Sequence, residues 1–153
     1  GDGGYVYRFE LPQEQVDYTF GEHIKLLAYD LSSSVLSGGD TISFRVYWNL
    51  EQPLPQNLSM YIHIYSRESV DTATLSMLTQ WDGELLPAGN RPTSTWSDQS
   101  EVYFGEPVQL TIPVATPPGD YVLAVGLYNY LTMEHLVGED GQNFFSIPLS
   151  ITN

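Results

Sequence analysis

Apolar side chains alternate with polar ones in several short segments of this chain, and this period of two constrains the fold more than any other feature. In residues 41–49, TISFRVYWN, one face would carry Ile42, Phe44, Val46 and Trp48. Residues 59–66, SMYIHIYS, repeat the pattern. Successive side chains of a β-strand point to opposite faces of a sheet, so the spacing is typical of half-buried strands.

Further strands are predicted at 24–33, 101–104, 108–114, from Tyr121 to Tyr128 and at 144–152. Val108, Leu110, Ile112 and Val114 would share one face. A short helical turn is expected within 69–79, and long loops within 82–107, where prolines and glycines recur. Pro148 lacks an amide donor, which predicts that the last strand lies at a sheet edge or carries a bulge there.

About eight short strands with little helix predict an all-β fold, a two-sheet antiparallel β-sandwich of immunoglobulin-like or jelly-roll-like type. A content of 11 Tyr, 6 Phe and 3 Trp favours pleated surfaces. The 153 residues are expected to form a single domain. Its first four residues, Gly1 to Gly4, resemble a linker or a remnant of expression.

The charge balance excludes whole classes of partner. Five Lys and Arg against 19 Asp and Glu give a formal net charge of −14, which repels nucleic acid and anionic lipid. The absence of cysteine excludes disulfides, Cys-ligated zinc and thiol nucleophiles. No apolar run approaches the roughly 18 residues of a membrane span, so no membrane insertion by this segment is expected.

Residues 117–129, PPGDYVLAVGLYN, predict an abrupt turn followed by a long strand. The prolines end the preceding strand, and Gly119-Asp120 supports the turn. Tyr121 at the strand start is interpreted as a tyrosine corner, whose hydroxyl bonds to nearby backbone. The core face would carry Tyr121, Leu123, Val125 and Leu127. The other face would carry Val122, Ala124, Gly126 and Tyr128.

A candidate binding patch lies on the non-core faces of the strands that begin at residues 41, 59 and 121. If these strands are neighbours, an aromatic and polar surface would form from Arg45, Tyr47, Tyr61, His63, Tyr65 and Tyr128. Sugars stack on aromatic rings and hydrogen-bond to polar groups around them, so the hypothesis is a glycan site. The alternative is that a loop or a partner domain covers these residues.

The three tryptophans receive different interpretations. Trp48 alternates with core residues and is assigned to the core. Trp81 and Trp96 lie in segments that read as loops, so each is either a ligand platform or a cap on one open end of the sandwich.

Metal and catalytic chemistry have weaker support in the sequence. Calcium prefers several oxygen ligands, and a site could draw on Asp82, Glu84, Asp98, Glu101, Glu139 and Asp140, but their spacing matches no EF-hand loop. His23, His63 and His135 lack metal-ligand spacing. No nucleophile elbow, zinc-protease, P-loop or dinucleotide motif occurs. We therefore expect no cofactor, with calcium as the one alternative, and no enzyme.

Six short motifs in a fixed order resemble one known family. They are Lys25 to Asp30, Gly39-Asp40 leading into Val46 to Trp48, Ile62 to Ile64, Thr93 to Trp96, Pro118 to Tyr121 and Gly126 to Tyr128. The pattern is similar to a poorly characterised extracytoplasmic β-sandwich domain of bacteria, found C-terminal to the membrane-spanning part of glycosyltransferase-like proteins. The chain departs from it at 66–69, where the family has an acidic-glycine turn.

The resemblance implies a place outside the cytoplasm, in the cell envelope or secreted, and a link to cell-surface glycan. The expected function is a non-catalytic accessory module of a larger, membrane-anchored protein, with carbohydrate as ligand. The alternatives are a structural or protein-interaction domain, whose partner is a neighbouring protein domain, and a small glycan-active enzyme.

Overall fold

A computed structural model describes residues 14–153, which form nine strands and one five-residue helix. The strands are β1 (Glu14–Phe20), β2 (Ile24–Leu31), β3 (Val35–Ser37), β4 (Thr41–Leu50), β5 (Leu58–Ser66), β6 (Met77–Glu84), β7 (Val108–Thr111), β8 (Gly119–Asn129) and β9 (Phe145–Thr152). The helix, α1, is Arg67–Asp71, and a 3-10 turn covers Thr93–Thr95. The predicted linker at Gly1 to Gly4 lies outside the described residues.

The strands form two sheets, in the orders β1-β2-β4-β7 and β3-β9-β8-β5-β6. We call them the four-stranded and the five-stranded sheet. Among the described strands, every pair is antiparallel except β3 with β9, which is parallel. With β2, β4 and β7 as strands A, B and E, and β5, β8 and β9 as C, F and G, the order is immunoglobulin-like. The predicted all-β sandwich is confirmed.

The inner faces of the two sheets enclose the main core. Trp48 and Ile42 of β4 are fully buried there, as are Ile62 of β5 and Leu123 and Val125 of β8. The predicted core faces of these three strands and the assignment of Trp48 are therefore confirmed. Burial of alternate side chains from both sheets removes apolar area from water, which is the main stabilising term in such a fold.

The tyrosine corner is present. The Tyr121 hydroxyl donates to the Pro117 carbonyl over 2.8 Å, four residues upstream, at the start of β8. This bond holds the Pro-Pro-Gly-Asp turn against the strand that follows it, in the manner expected of sandwich folds.

Several predicted elements differ in the structure. Residues 101–104 form no strand, and only Tyr103 makes a bridge, to Trp48. Strand β7 stops at Thr111, before Pro113, and Val114 is 83% exposed, outside the core. A proline cannot donate to a ladder, which explains the early end.

The segment after β5 also differs from expectation. The helical turn expected within 69–79 begins earlier, at Arg67, where the Ser66 hydroxyl caps it by accepting from the Ser69 amide over 3.2 Å. It ends by residue 72, and Ala73 and Leu75 take positive φ values of 59° and 46°. Strand β6 follows and carries Asp82 to Glu84, which were expected in a loop.

Pro148 lies at a local edge of the five-stranded sheet, as predicted, although β9 as a whole lies between β3 and β8. Strand β9 pairs with β8 along Pro148, whereas β3 covers only Ser150 to Thr152. The Ser150 amide points toward the β3 side, where it donates to the carbonyl of Ser34, the residue before β3, over 2.8 Å. Residues two apart in a strand point their amides the same way. The missing N–H of Pro148 thus faces a stretch that β3 leaves unpaired.

Candidate functional site

The predicted binding patch is divided between the two sheets. Arg45 and Tyr47 lie on β4 of the four-stranded sheet, whereas Tyr61, His63 and Tyr65 lie on β5 of the five-stranded sheet. Tyr128 lies on β8, beside β5. Because the sheets pack face to face, their outer faces point away from each other. The assumption that all three strands are neighbours was wrong, and one continuous patch does not form.

Arg45 and Tyr47 are held by contacts within the chain. The Tyr47 hydroxyl donates to Asp30 Oδ2 over 2.5 Å. Burial is the main cause that raises the pKa of Tyr47, and this hydrogen bond is the second. Arg45 Nε donates to the Gly105 carbonyl over 3.0 Å, and the guanidinium lies 5.6 Å from the centre of the Phe104 ring. These groups brace the 101–107 segment against the four-stranded sheet.

On the five-stranded sheet the predicted aromatic residues do meet. We call the group the outer aromatic cluster, which comprises Tyr61, His63, Tyr65, Tyr128, His135 and Phe144. The Tyr61 ring centre lies 4.5 Å from that of His63 and 5.4 Å from that of His135. Tyr65 lies 5.9 Å from Phe144. The Tyr61 ring covers Gly126, where any Cβ would overlap it.

The chain itself covers the outer aromatic cluster. Tyr61 is only 4% exposed, and its hydroxyl donates to the Asn143 carbonyl over 3.1 Å. Phe144 and the α1 residue Val70 pack against the tyrosines. Burial raises the pKa of Tyr61. Burial also lowers the pKa of His63; the negative charge of Asp82 acts against this shift, and His135 adds to it. The rings form a second small core, and stacking of a sugar on them would require this cover to move.

Neither loop tryptophan is an open platform. Trp96 is 1% exposed, stacks on Tyr103 with ring centres 4.2 Å apart, and donates from Nε1 to the Arg91 carbonyl over 2.8 Å. Its interpretation as a ligand platform is therefore wrong, because it belongs to the core at one end of the sandwich. Trp81 lies on β6, opposite Ile62, and is half-buried against the main core.

The carboxylates considered for calcium do not converge. Within residues 14–153, no group of three or more His, Cys, Asp or Glu side chains could hold a metal ion. Instead, several bind protein donors. Tyr128 donates to Asp82 over 2.6 Å, Tyr18 donates to Asp140 over 2.5 Å, and Arg91 holds Glu101 in two hydrogen bonds. In the same residues, no helix is both long and apolar enough to cross a membrane.

An open cavity lies at one end of the five-stranded sheet. We call it the Tyr130 cavity. It has a volume of about 260 Å³ and is lined by Asn57, Leu58, Ser59, Glu84, Leu85, Arg91, Pro92, Thr93 and Tyr130. The lining comes from the start of β5, the end of β6, the segment that follows β6 and the residue after β8. Antiparallel pairing of β5 with β6 and β8 brings these ends together.

The cavity wall is fixed by hydrogen bonds. The Thr93 hydroxyl is buried, donates to the Gln56 carbonyl over 2.9 Å and accepts from the Leu58 amide over 2.9 Å. Asn57 Oδ1 accepts from the Ser94 amide over 3.0 Å. These bonds tie the 3-10 turn to the start of β5, so the wall is formed before any ligand arrives.

Three of the residues that line the cavity, Asn57, Glu84 and Tyr130, carry groups without a hydrogen bond to the described part of the chain. In the described part of the chain, Asn57 Nδ2 donates to no acceptor and the Glu84 carboxylate meets no donor. Tyr130 is 67% exposed, so its ring has a free face. Arg91 differs, because Nη1 and Nη2 are bound to Glu101 over 2.8 and 3.2 Å. The cavity thus combines an aromatic face with a free amide donor and a free carboxylate acceptor.

Sequence reasoning did not identify this cavity. Asn57 and Tyr130 were not among the predicted site residues, and Glu84 was considered only as a calcium ligand. Tyr130 lies in a turn, NYLTM, whose three exposed apolar side chains were the available signal. Asn129 builds that turn, since its Oδ1 accepts from the Leu131 amide over 2.9 Å and its carbonyl accepts from Met133 over 2.7 Å.

Comparisons with known proteins bear on the fold. No protein-family model matches the chain, and no curated protein sequence matches it. The C-terminal domain of wzt is similar in structure, with a TM-score of 0.57 and 18% identity over 94% of this chain and 80% of that one. A Niemann-Pick type C2 protein from Japanese carpenter ant has a TM-score of 0.51 and 9% identity over 93% and 98%. At these identities the likeness shows a shared β fold.

Proposed function

We propose that the chain is a non-catalytic, extracytoplasmic accessory module that binds carbohydrate in the Tyr130 cavity. The observation that carries the proposal is the exposed Tyr130 ring beside two unused polar groups, Asn57 Nδ2 and the Glu84 carboxylate. A sugar presents an apolar face to an aromatic ring and hydroxyls to polar groups at its edge. Glu84 accepts from hydroxyls and Asn57 donates to a ring or hydroxyl oxygen, so the two groups complement each other.

The size of the cavity supports a small ligand. Its volume of about 260 Å³ lies just below the ~300–1,000 Å³ typical of small-molecule sites. That space suits one sugar residue or the end of a chain rather than a long stretch of polysaccharide. Affinity is therefore expected to be weak for a single site.

A non-catalytic role is supported by the carboxylates of the cavity. Glycoside hydrolysis ordinarily needs two carboxyl groups that flank the bond. Glu84 is the one carboxylate among the described lining residues, and the nearby Glu101 is held by Arg91. A place outside the cytoplasm, as part of a cell-envelope protein, is supported by the family resemblance in the sequence.

The test is a glycan array with the purified domain, repeated with calcium and with chelator. We expect binding by the wild type that Tyr130→Ala abolishes. Leu131→Ala is the matched control, because Leu131 is the next residue of the same turn and is 89% exposed but does not line the cavity. Binding that survives Tyr130→Ala, or no binding to any glycan, would remove this proposal.

A second candidate is a protein-interaction domain that docks a neighbouring domain. The exposed apolar side chains of Leu131 and Met133 at the turn favour it, since a cluster of such groups often marks an interface. For this candidate, Leu131→Ala is expected to weaken binding and Tyr130→Ala is expected to leave it unchanged. Loss of a partner contact on Leu131→Ala, with Tyr130→Ala unaffected, would favour it.

A further inference from the structure

The charges around the Tyr130 cavity differ in whether they are already paired. Arg91 is the only cationic side chain among the described lining residues, and both its terminal nitrogens bind Glu101. This pairing raises the pKa of Arg91 and lowers that of Glu101, so both stay charged and cancel each other. Glu84 is left with a negative charge that no described side chain compensates.

From this we infer that the cavity selects against acidic sugars and prefers a sugar that bears a free ammonium group, which would pair with Glu84. The inference rests on the proposed carbohydrate function and names the ligand class of the same site. A uronic acid or a phosphorylated sugar would bring a second negative charge to Glu84 and meet no free cation. A protonated amino sugar would satisfy Glu84 with a charge-assisted hydrogen bond.

The location of Glu84 fits this role. It is the last residue of β6, opposite Ser59 in the register, so the strand pairing sets its position in the cavity lining. Asn57 and Tyr130 line the same cavity from other segments. The ammonium would meet Glu84 while the sugar ring lies on Tyr130. The formal charge of −14 on the whole chain adds to the preference at low salt.

The test measures the affinities of three oligosaccharides of equal length by titration calorimetry, at a pH where the amine is protonated. The probes are a glucosamine oligomer, its N-acetylated counterpart and a galacturonic acid oligomer. An exposed ion pair suggests that the amine form binds about two- to fivefold more tightly than the acetylated form. The acidic oligomer should bind more weakly than either.

Two variants separate a local contact from the effect of net charge. Glu84→Gln should remove the preference for the amine form, because it should weaken binding of that form more than binding of the acetylated form. Glu68→Gln removes the same charge from α1, at the opposite end of β5, and should keep the preference. Raising the salt concentration should weaken the preference of the wild type.

The outcomes distinguish the two proposals. Equal binding of amine, acetylated and acidic forms, unchanged by Glu84→Gln, would overturn the charge selection and leave the carbohydrate site in place. A preference lost equally in both variants would also overturn it. Failure of all three probes to bind, in a domain that also binds nothing on the array, would overturn both.

Discussion

The Tyr121 hydroxyl joins the start of β8 to the turn that precedes it, through one hydrogen bond of 2.8 Å to Pro117. The ring itself is buried in the main core. A single residue therefore links the turn chemistry of Pro-Pro-Gly-Asp to the packing of the longest strand described. Tyrosine suits this position because its ring can be buried in the core while its hydroxyl hydrogen-bonds to the backbone.

Removing the hydroxyl alone tests this link. Tyr121→Phe should lower the free energy of unfolding by about 1 kcal/mol, because the ring stays and one hydrogen bond is lost. Urea denaturation measures it. The matched control is Tyr130→Phe, whose hydroxyl bonds to no described residue and whose loss should leave stability unchanged. Equal stability of Tyr121→Phe and the wild type would contradict the role assigned to the corner.

At the scale of elements, the segment from 85 to 107 closes one end of the sandwich and forms a wall of the Tyr130 cavity. Trp96 stacks on Tyr103 at an interplanar angle of 4°, and the Arg91 guanidinium lies 4.9 Å from the centre of the Tyr103 ring. The Tyr103 backbone in turn pairs with Trp48 of β4 over 2.8 Å. A segment without a strand of its own is thus anchored by aromatic packing.

Truncation of the Trp96 side chain should destabilise the fold. Trp96→Ala is expected to lower the free energy of unfolding by about 3–5 kcal/mol, the range for loss of a buried large aromatic side chain. Val102→Ala, at a half-exposed position of the same segment, should change it by less than about 0.5 kcal/mol. Thermal or urea unfolding measures both. A Trp96→Ala variant as stable as Val102→Ala would mean that Trp96 does not anchor the segment.

Elements with regular alternation were predictable from sequence, and the irregular ones were not. Strands β4, β5 and β8 follow their period of two in the structure. Strand β6 was missed because its sequence, MLTQWDGE, is polar and ends in Asp82-Gly83, which resembles a turn. Trp96 was misplaced because its neighbours are polar, although the ring itself is buried. The Tyr130 cavity joins three separated parts of the chain, 57–59, 84–93 and Tyr130, which strand pairing and the hydrogen bonds of Thr93 and Asn57 bring together.

At the scale of the whole molecule, both sheets bury tyrosine on their faces. The pKa values of Tyr18, Tyr29, Tyr47, Tyr61, Tyr65 and Tyr128 are all raised. Burial is the main cause except for Tyr128, where the hydrogen bond to Asp82 comes first. The folded state therefore keeps these phenols protonated at a pH where the unfolded chain would lose the protons.

This predicts sensitivity to alkaline pH. A raised folded-state pKa stabilises the fold fully below the ordinary value of about 10, and the contribution is lost as pH rises above it. Urea midpoints at pH 8, 9, 10 and 11 should fall steeply above pH 10. Tyr61→Phe should make the decline shallower. A midpoint that stays constant up to pH 11 would contradict the burial of the tyrosines.

The carbohydrate site is the central claim, and amide chemical shifts during titration of the labelled domain with an array-positive oligosaccharide test it most directly. We predict that the largest shifts cluster at Asn57, Ser59, Glu84, Thr93 and Tyr130, around one cavity. Shifts that instead cluster at Arg45 of the four-stranded sheet and at Phe104, which packs against it, or an unchanged spectrum, would contradict it.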